Sequence, residues 1–264
     1  MIRMIATDMD GTFLSDQKGF DRTAFANLYR KWKANGTRFV IASGNQYQHL
    51  SDIFKDDDQQ LDYIAENGAL IVSNGQVLQQ HTLAPQAVAT ALDLLETDPR
   101  LANALVILSG AKDAYISASA SPEFFAEGAK YYRHLQPVED LRQLSDRFFK
   151  IALAWPNQDV SNQELILRAA LPELHVTSSG FGGIDIVPQG VNKGNAMRFL
   201  QTRWQISPAE TAAFGDSNND LELLTACTES YAMANANAKI KAVAKYITKH
   251  DNNNGGALRQ MATL

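Results

Sequence analysis

The sequence predicts an α/β protein: a Rossmann-like parallel sheet core with helices on both faces, carrying an inserted α+β domain. Three observations predict it. Short apolar runs alternate with helix-period stretches at both ends of the chain, the βαβ order of a parallel sheet covered by helices. In the middle the strand-like runs come in close pairs, as antiparallel hairpins do. The length of 264 residues is about two domain lengths, enough for a substantial core without disulfide or metal staples. The expected division is a core of residues 1–82 and 188–264, with residues 83–187 inserted.

The elements follow in order. Residues 2–7 (Ile-Arg-Met-Ile-Ala-Thr) read as a buried strand. Phe25, Leu28, Tyr29 and Trp32 recur at i, i+3, i+4, i+7 and mark one helix face, and Gly36 stands where a helix C-terminal glycine belongs. Arg38 to Ala42 is the next strand. Tyr63 to Glu66 is another, ending at the turn signal Asn67-Gly68. In the insert, helices are expected near 85–96, 122–132 and 161–171, and strands near 104–109, 113–117, 147–154, 174–178 and 184–187. The first two strands flank Ser109-Gly110-Ala111-Lys112, a hairpin spacing. From Lys193 the alternation resumes: a helix to Arg203, a strand at 211–214, a helix at 218–226, a strand at 230–233, and helices at 237–244 and 255–262.

Composition excludes several classes. Hydrophobic residues make up 45% and charged residues 20%, as in ordinary globular chains. The net charge of −5 offers nucleic acid no attraction, so no nucleic-acid partner is expected. The densest acidic run, Asp56-Asp57-Asp58, reads as a solvated loop. No stretch approaches the roughly 18 apolar residues of a membrane span, so no membrane partner is expected. The single cysteine, Cys227, allows no intrachain disulfide; it sits on an apolar helical face and receives no role. The chain opens directly into a strand pattern without a signal-peptide profile, so the cytoplasm is the expected compartment.

The candidate chemistry sits at strand ends, where open α/β sheets bind ligands. Asp8-Met9-Asp10-Gly11-Thr12 follows the first strand; two carboxylates there repel unless a cation or a shared proton intervenes. A hard cation such as Mg²⁺ takes oxygen ligands and keeps water and substrate phosphate. Taken alone, the run reads equally as a polar turn. Gly215-Asp216-Ser217-Asn218-Asn219-Asp220 follows the strand at 211–214. With a helix starting after Gly215, Asp216, Asn219 and Asp220 share one face; Asp216 could also be only a helix cap. A calcium loop is excluded by spacing: its glycine and glutamate places hold Phe13 and Gly19, or Leu221 and Cys227. Ser43-Gly44 ends another strand and offers a hydroxyl and approachable backbone N–H groups to an anion. Lys193 opens a helix, where the dipole disfavours a cation; it is either solvated or demanded by nearby anions. Phosphate-loop, dinucleotide, nucleophile-elbow and zinc-protease motifs do not occur, and the five histidines are scattered.

Together, Asp8-x-Asp10-Gly11-Thr12, Ser43-Gly44, Lys193-Gly194 and Gly215-Asp216-x-x-Asn219-Asp220 resemble the four motifs of the haloacid dehalogenase superfamily, in the family's order. The insert resembles the large α/β cap of the Cof-type branch. Glu66-Asn67-Gly68-Ala69 and Asn254-Gly255-Gly256-Ala257-Leu258 also resemble that branch. The second motif departs from the branch's frequent Thr-Gly-Arg: Asn45 holds the arginine's place. With Thr177-Ser-Ser-Gly-Phe-Gly-Gly-Ile-Asp185, the chain is most similar to bacterial sugar phosphatases of the branch. The resemblance implies a Mg²⁺-dependent phosphatase acting on a small-molecule phosphate ester, with a phosphomutase and an idle sugar-phosphate sensor as alternatives. It implies that Asp8 attacks phosphorus, that Asp10 serves as acid and then base, and that Asp8, the Asp10 carbonyl and Asp216 hold the metal. Ser43, Gly44, Lys193 and Asn219 would hold the phosphate, with Asp220 and Thr12 in support. Residues Ser178 to Gly183, Phe181 above all, are expected to reach the substrate, and Lys193→Ala is expected to leave the fold intact.

Overall fold

Apolar runs too short for helices form the strands of two separate sheets in the computed structural model, which describes residues 1–55, 61–156, 158–180 and 182–264. Phe181 and the Asp56-Asp57-Asp58 run lie outside the described residues. The first half-core contains β1 (Met4–Thr7), α1 (Arg22–Ala34), β2 (Arg38–Ala42), α2 (Tyr47–Ile53), β3 (Asp62–Ala65), β4 (Leu70–Ser73) and β5 (Gln76–Gln80). Next come α3 (Pro85–Thr97), β6 (Leu105–Gly110), β7 (Ala114–Ser117), α4 (Pro122–Gly128), β8 (Leu135–Val138), β9 (Phe148–Ala154), α5 (Ser161–Ala170), β10 (Leu174–Gly180) and β11 (Gly183–Pro188). The chain ends with α6 (Lys193–Trp204), β12 (Thr211–Gly215), α7 (Leu221–Thr225), β13 (Glu229–Ala232), α8 (Ala238–Val243), β14 (Tyr246–Ile247) and α9 (Gly256–Met261).

The larger sheet runs β14-β13-β12-β1-β2-β3-β4-β5. It is parallel from β14 through β3, with every residue of β1 buried, as a strand covered on both faces should be. Register places the functional strand ends together: Thr7 pairs with Ile41 on one side and Phe214 on the other. The chain therefore emerges from β1, β2 and β12 along one line. The sheet is mixed rather than purely parallel, because β4 and β5 add an antiparallel hairpin at the edge. Its turn is Asn74-Gly75, both residues at positive φ (50° and 73°), the pattern of a two-residue hairpin turn.

The smaller sheet runs β10-β11-β9-β6-β7-β8 and is antiparallel except for β7 with β8. β8 contains Pro137, which cannot donate a ladder hydrogen bond; it is tolerated because β8 is an edge strand. That proline is also why its sequence does not read as a strand. One face of this sheet carries Leu108, Ile151, Leu153, Ile184 and Ile186 and packs on Val88 and Leu92 of α3 and Leu167 of α5. Alternation puts Ser109, Ile107 and Leu105 on the other face, paired in order with Lys150, Ala152 and Ala154, while Asp185 and Gly183 flank them on β11.

Two further expectations are adjusted, and one further strand is unexpected. The helix near 122–132 stops at Gly128. The helix at 218–226 is a 3-10 turn, Asn218–Asp220, followed by the single α-helical turn of α7. β14, two exposed residues long, is too short to leave a period.

α6 packs on α7 through Gly194, where an added Cβ would lie 2.2 Å from the Glu222 carbonyl oxygen. Backbone cannot yield there as a flexible side chain can. Gly194→Ala is therefore expected to lower the unfolding free energy by about 1–3 kcal/mol in urea denaturation. An unchanged midpoint would contradict this backbone contact.

Candidate active site

Asp8 leaves the end of β1 with its N–H donated to the Phe214 carbonyl of β12. Its carboxylate meets the ammonium of Lys193, the first residue of α6, at 2.6 Å; the same ammonium meets Asp220 at 2.7 Å. Lys193 is fully buried. Burial opposes its charge, but Asp220 and Asp8 outweigh that penalty and hold its pKa above the ordinary value. Lys193 is thus not a solvated residue, and the unfavourable helix dipole is overruled by two carboxylates in contact.

Burial pushes the Asp8 carboxyl well above the usual range, repulsion from Asp220 adds to it, and Lys193 draws it back. Asp216 is pushed up to about 6, by burial first and by Asp220 second. Thr12 donates its hydroxyl to one Asp216 oxygen at 2.7 Å and Ser217 to the other at 3.0 Å. Gly11 makes this possible: its φ is +77°, and a Cβ there would lie 2.7 Å from an Asp216 oxygen. Asp216, Asn219 and Asp220 do not share a helix face. Asp216 precedes the 3-10 turn, and Asp220 folds back to accept the backbone N–H groups of Asp216 and Ser217 at 3.0 and 3.1 Å in a capping box.

Asp8, Asp216 and Asp220 bring one oxygen each within 4.8 Å of one another. All donors are hard oxygens gathered around one point, and two of the three carboxyls are raised by burial and by repulsion from Asp220, so the set fits a divalent cation such as Mg²⁺. Asp220 already serves Lys193 and two N–H groups, which leaves Asp8 and Asp216 as the freer ligands. The Asp10 carboxylate is not in this cluster. It accepts from the Lys18 ammonium at 2.6 Å and from the Asn45 side-chain amide at 2.6 Å.

Ser43 and Gly44 form the turn after β2. The Ser43 hydroxyl accepts the Asn45 N–H at 3.1 Å, and the Ser43 carbonyl accepts the Asn67 N–H at 3.1 Å. Asn219 donates to the Asn67 side chain at 3.0 Å, and Asn67 donates to Asp185 at 2.7 Å. Asp8, Asp10, Ser43, Gly44 and Asn219 all open onto one cavity of about 700 Å³ between the two sheets, with Lys193 behind Asp8. The smaller sheet contributes Lys150, Asp185, Ile107 and Leu105 to its wall, and Tyr131 and Tyr132 close it from the stretch after α4.

Sequence motifs alone do not single out Lys18, Asn67, Lys150 and Asp185 as site residues. For two of them a signal exists: Lys150 interrupts Phe148-Phe149-Lys150-Ile151-Ala152, and Asp185 interrupts Ile184-Asp185-Ile186-Val187. A charge inside an apolar strand run is costly to bury and asks for a partner. Cys227 is buried and its thiol is pushed up to about 12 by burial, in keeping with no chemical role.

This arrangement has known counterparts. Residues 5–259 match the family of haloacid dehalogenase-like hydrolases. The chain belongs to that family. It is 37% identical over 255 residues to the 5-amino-6-(5-phospho-D-ribitylamino)uracil phosphatase YbjI of Escherichia coli, covering 96% of this chain and 93% of that one. It is 26% identical over 244 residues to the HMP-PP phosphatase of Klebsiella pneumoniae, covering 92% and 88%. The solved structure of SMU.1108c from Streptococcus mutans superposes with a TM-score of 0.94 at 33% identity, covering 100% of this chain and 98% of that one. As a haloacid dehalogenase-like hydrolase the chain is a phosphoric monoester hydrolase, of a family whose phosphatases are generally metal-dependent.

The burial of Lys193 corrects the expectation that its removal spares the fold. Lys193→Met leaves Asp8 and Asp220 without their shared cation, and stability at neutral pH is expected to fall by about 3–5 kcal/mol in denaturant titration. A loss below about 1 kcal/mol, as for an exposed pair, would show that the ammonium is not held as described.

Proposed function

We propose that this hydrolase removes phosphate from small monoesters with polyhydroxylated alcohols, sugar phosphates among them, using Mg²⁺ and an aspartyl-phosphate on Asp8. The observation that carries the reading is Asp8 itself: a buried carboxylate at the cavity floor, held by Lys193 and grouped with two further carboxylates. We take residues 1–82 and 188–264 as the catalytic core and 83–187 as an inserted cap. Separate sheets and a separate apolar cluster within the insert support that division.

In this reading the Asp8 carboxylate attacks phosphorus in line while the bond to the leaving oxygen breaks. Asp10, held by Lys18 and Asn45, gives that oxygen its proton. Asp10 then takes a proton from the water that attacks the aspartyl-phosphate, which frees phosphate and restores Asp8. Lys193, Ser43, the Gly44 N–H and Asn219 hold the phosphate oxygens, since phosphoryl transfer needs chiefly positioning and charge stabilisation. Mg²⁺, held by Asp8, the Asp10 carbonyl and Asp216, would screen nucleophile from phosphate when bound. Thr12 and Asp220 support that set by fixing Asp216 and its backbone.

The leaving alcohol is read from the relative and the cavity together. The Escherichia coli relative is named for a phosphorylated ribityl chain on a uracil. Here the cavity wall carries Lys150 and Asp185 next to the phosphate loop, the apolar Ile107, Leu105 and Phe124, and the polar Ser121, Glu123 and Glu127 around Phe124. Such a mixed wall suits an alcohol that carries hydroxyls as well as a less polar group. A lone buried thiol fits a reducing cytoplasm.

The two aspartates are expected to fail differently. In rapid-quench experiments with labelled substrate, Asp10→Asn should slow transfer from a sugar phosphate by about 10²- to 10⁴-fold, and from p-nitrophenyl phosphate much less, since that leaving group needs little protonation. Label should then persist on the protein, because its hydrolysis still needs a base. Asp8→Asn should take no label; stable label in that variant would place the nucleophile elsewhere.

A further inference from the structure

Lys150 lies in the middle of β9 and is 2% exposed. Its ammonium donates to the main-chain carbonyl of Gly44 in the phosphate loop. Two carboxylates flank it, Glu66 at 3.3 Å and Asp185 at 3.5 Å, and Glu66 also accepts the Ser109 hydroxyl at 2.7 Å. The Tyr132 ring stands 5.5 Å from the ammonium. Burying an ammonium is costly, and an apolar side chain of similar length would fill the same space without that desolvation. The surroundings of Lys150 are therefore organised around its charge.

That charge ends on the peptide that leads into Asn45. The Gly44 carbonyl precedes Asn45 and is taken by Lys150; the Asn45 carbonyl follows it and accepts the Glu66 N–H at 3.1 Å. The Asn45 N–H is held by the Ser43 hydroxyl. Clamped on both sides, Asn45 has its side-chain amide on the Asp10 carboxylate at 2.6 Å. Gly44 permits the approach: a Cβ there would stand 3.1 Å from oxygens of both Asp185 and Asn67. A continuous path thus leads from the insert to Asp10: Lys150, the Gly44–Asn45 peptide, the Asn45 amide, the Asp10 carboxylate.

We propose that Lys150 is a positioning residue through which the cap orients the Asp10 carboxylate, acting on the Gly44 carbonyl and the Asn45 amide. The proposal rests on Asp10 serving the leaving group as above. It also accounts for Asn45. Where the branch often carries arginine, this chain carries an amide that grips Asp10. Because the effect passes through Asp10, it should depend on how much the leaving oxygen needs a proton.

The test compares phosphoenzyme formation in single turnovers of the Mg²⁺-loaded protein, using butyl phosphate and p-nitrophenyl phosphate. Lys150→Met is expected to slow transfer from butyl phosphate by about tenfold or more, as a displaced catalytic group does. Transfer from p-nitrophenyl phosphate should slow by less than about threefold, since its leaving group needs little proton donation. Asn45→Ala should show the same split, and the double variant should be no slower than the slower single one, because both act on one path. Losses that multiply in the double variant would overturn the proposal. So would equal slowing on both esters, or a raised KM confined to ribose 5-phosphate with kcat kept, which would make Lys150 a hydroxyl-binding residue. If Lys150→Met does not fold, Lys150→Met/Glu66→Gln keeps the local charge of the wild type and is read the same way. Asp8→Asn is run alongside: label on that variant would defeat the assignment of Asp8 as nucleophile whatever Lys150 does.

Discussion

The Lys193 ammonium, buried between Asp8 and Asp220 at 2.6 and 2.7 Å, is the contact on which the rest of the site depends. Without it two carboxylates would face each other in a desolvated floor, and without them a fully buried lysine would not stay charged. The fold is arranged to make that contact possible. Parallel pairing of β1 with β2 and β12 brings three strand ends to one line, and α6 delivers Lys193 from the other half of the core. Gly194 lets α6 settle against α7, whose preceding turn carries Asp220.

One cation does not balance the site. Asp8 and Asp216 both remain raised by burial and by Asp220, so the floor still favours positive charge. Asp10 stands apart from this group because Lys18 and Asn45 hold its carboxylate, which separates the proposed nucleophile from the proposed acid–base group only two residues along the chain. In the proposed mechanism it is environment, rather than residue type, that gives the two aspartates different roles.

The larger sheet is legible in the sequence because buried parallel strands are near-continuous apolar runs and their helices keep a clear 3.6 period; β1, β2, β12, α1 and α6 fall where the pattern places them. β4 is an apolar run, Leu70-Ile71-Val72, but its partner β5 is largely polar and exposed, so the hairpin is signalled chiefly by Asn74-Gly75; β8 is hidden by Pro137. In the site, the clustering of Asp8, Asp216, Asp220 and Lys193 follows from residues that sit at element ends. Lys18, Lys150 and Asp185 are not legible as site residues because their roles arise across the chain: Asp185 meets Asn67, and Lys150 meets Gly44. No local period encodes such contacts; only a charge in an apolar strand hints at them. Phe181 falls outside the described residues; among the described ones, Gly183 of the expected Ser178–Gly183 stretch lines the cavity together with Lys150, Asp185, Ile107 and the two tyrosines after α4.

Among the described residues the acidic floor could hold a divalent cation, and the proposal that it does so can be checked without turnover. Calorimetric titration of Mg²⁺ into the wild type and into Asp216→Asn and Asp10→Asn tests it most directly. The account predicts one ion per chain in the wild type, affinity weakened by about tenfold or more in Asp216→Asn, and little change in Asp10→Asn, whose only proposed ligand atom is a main-chain carbonyl. Wild-type protein that takes up no Mg²⁺, or an Asp216→Asn variant that binds it undiminished, would contradict the account.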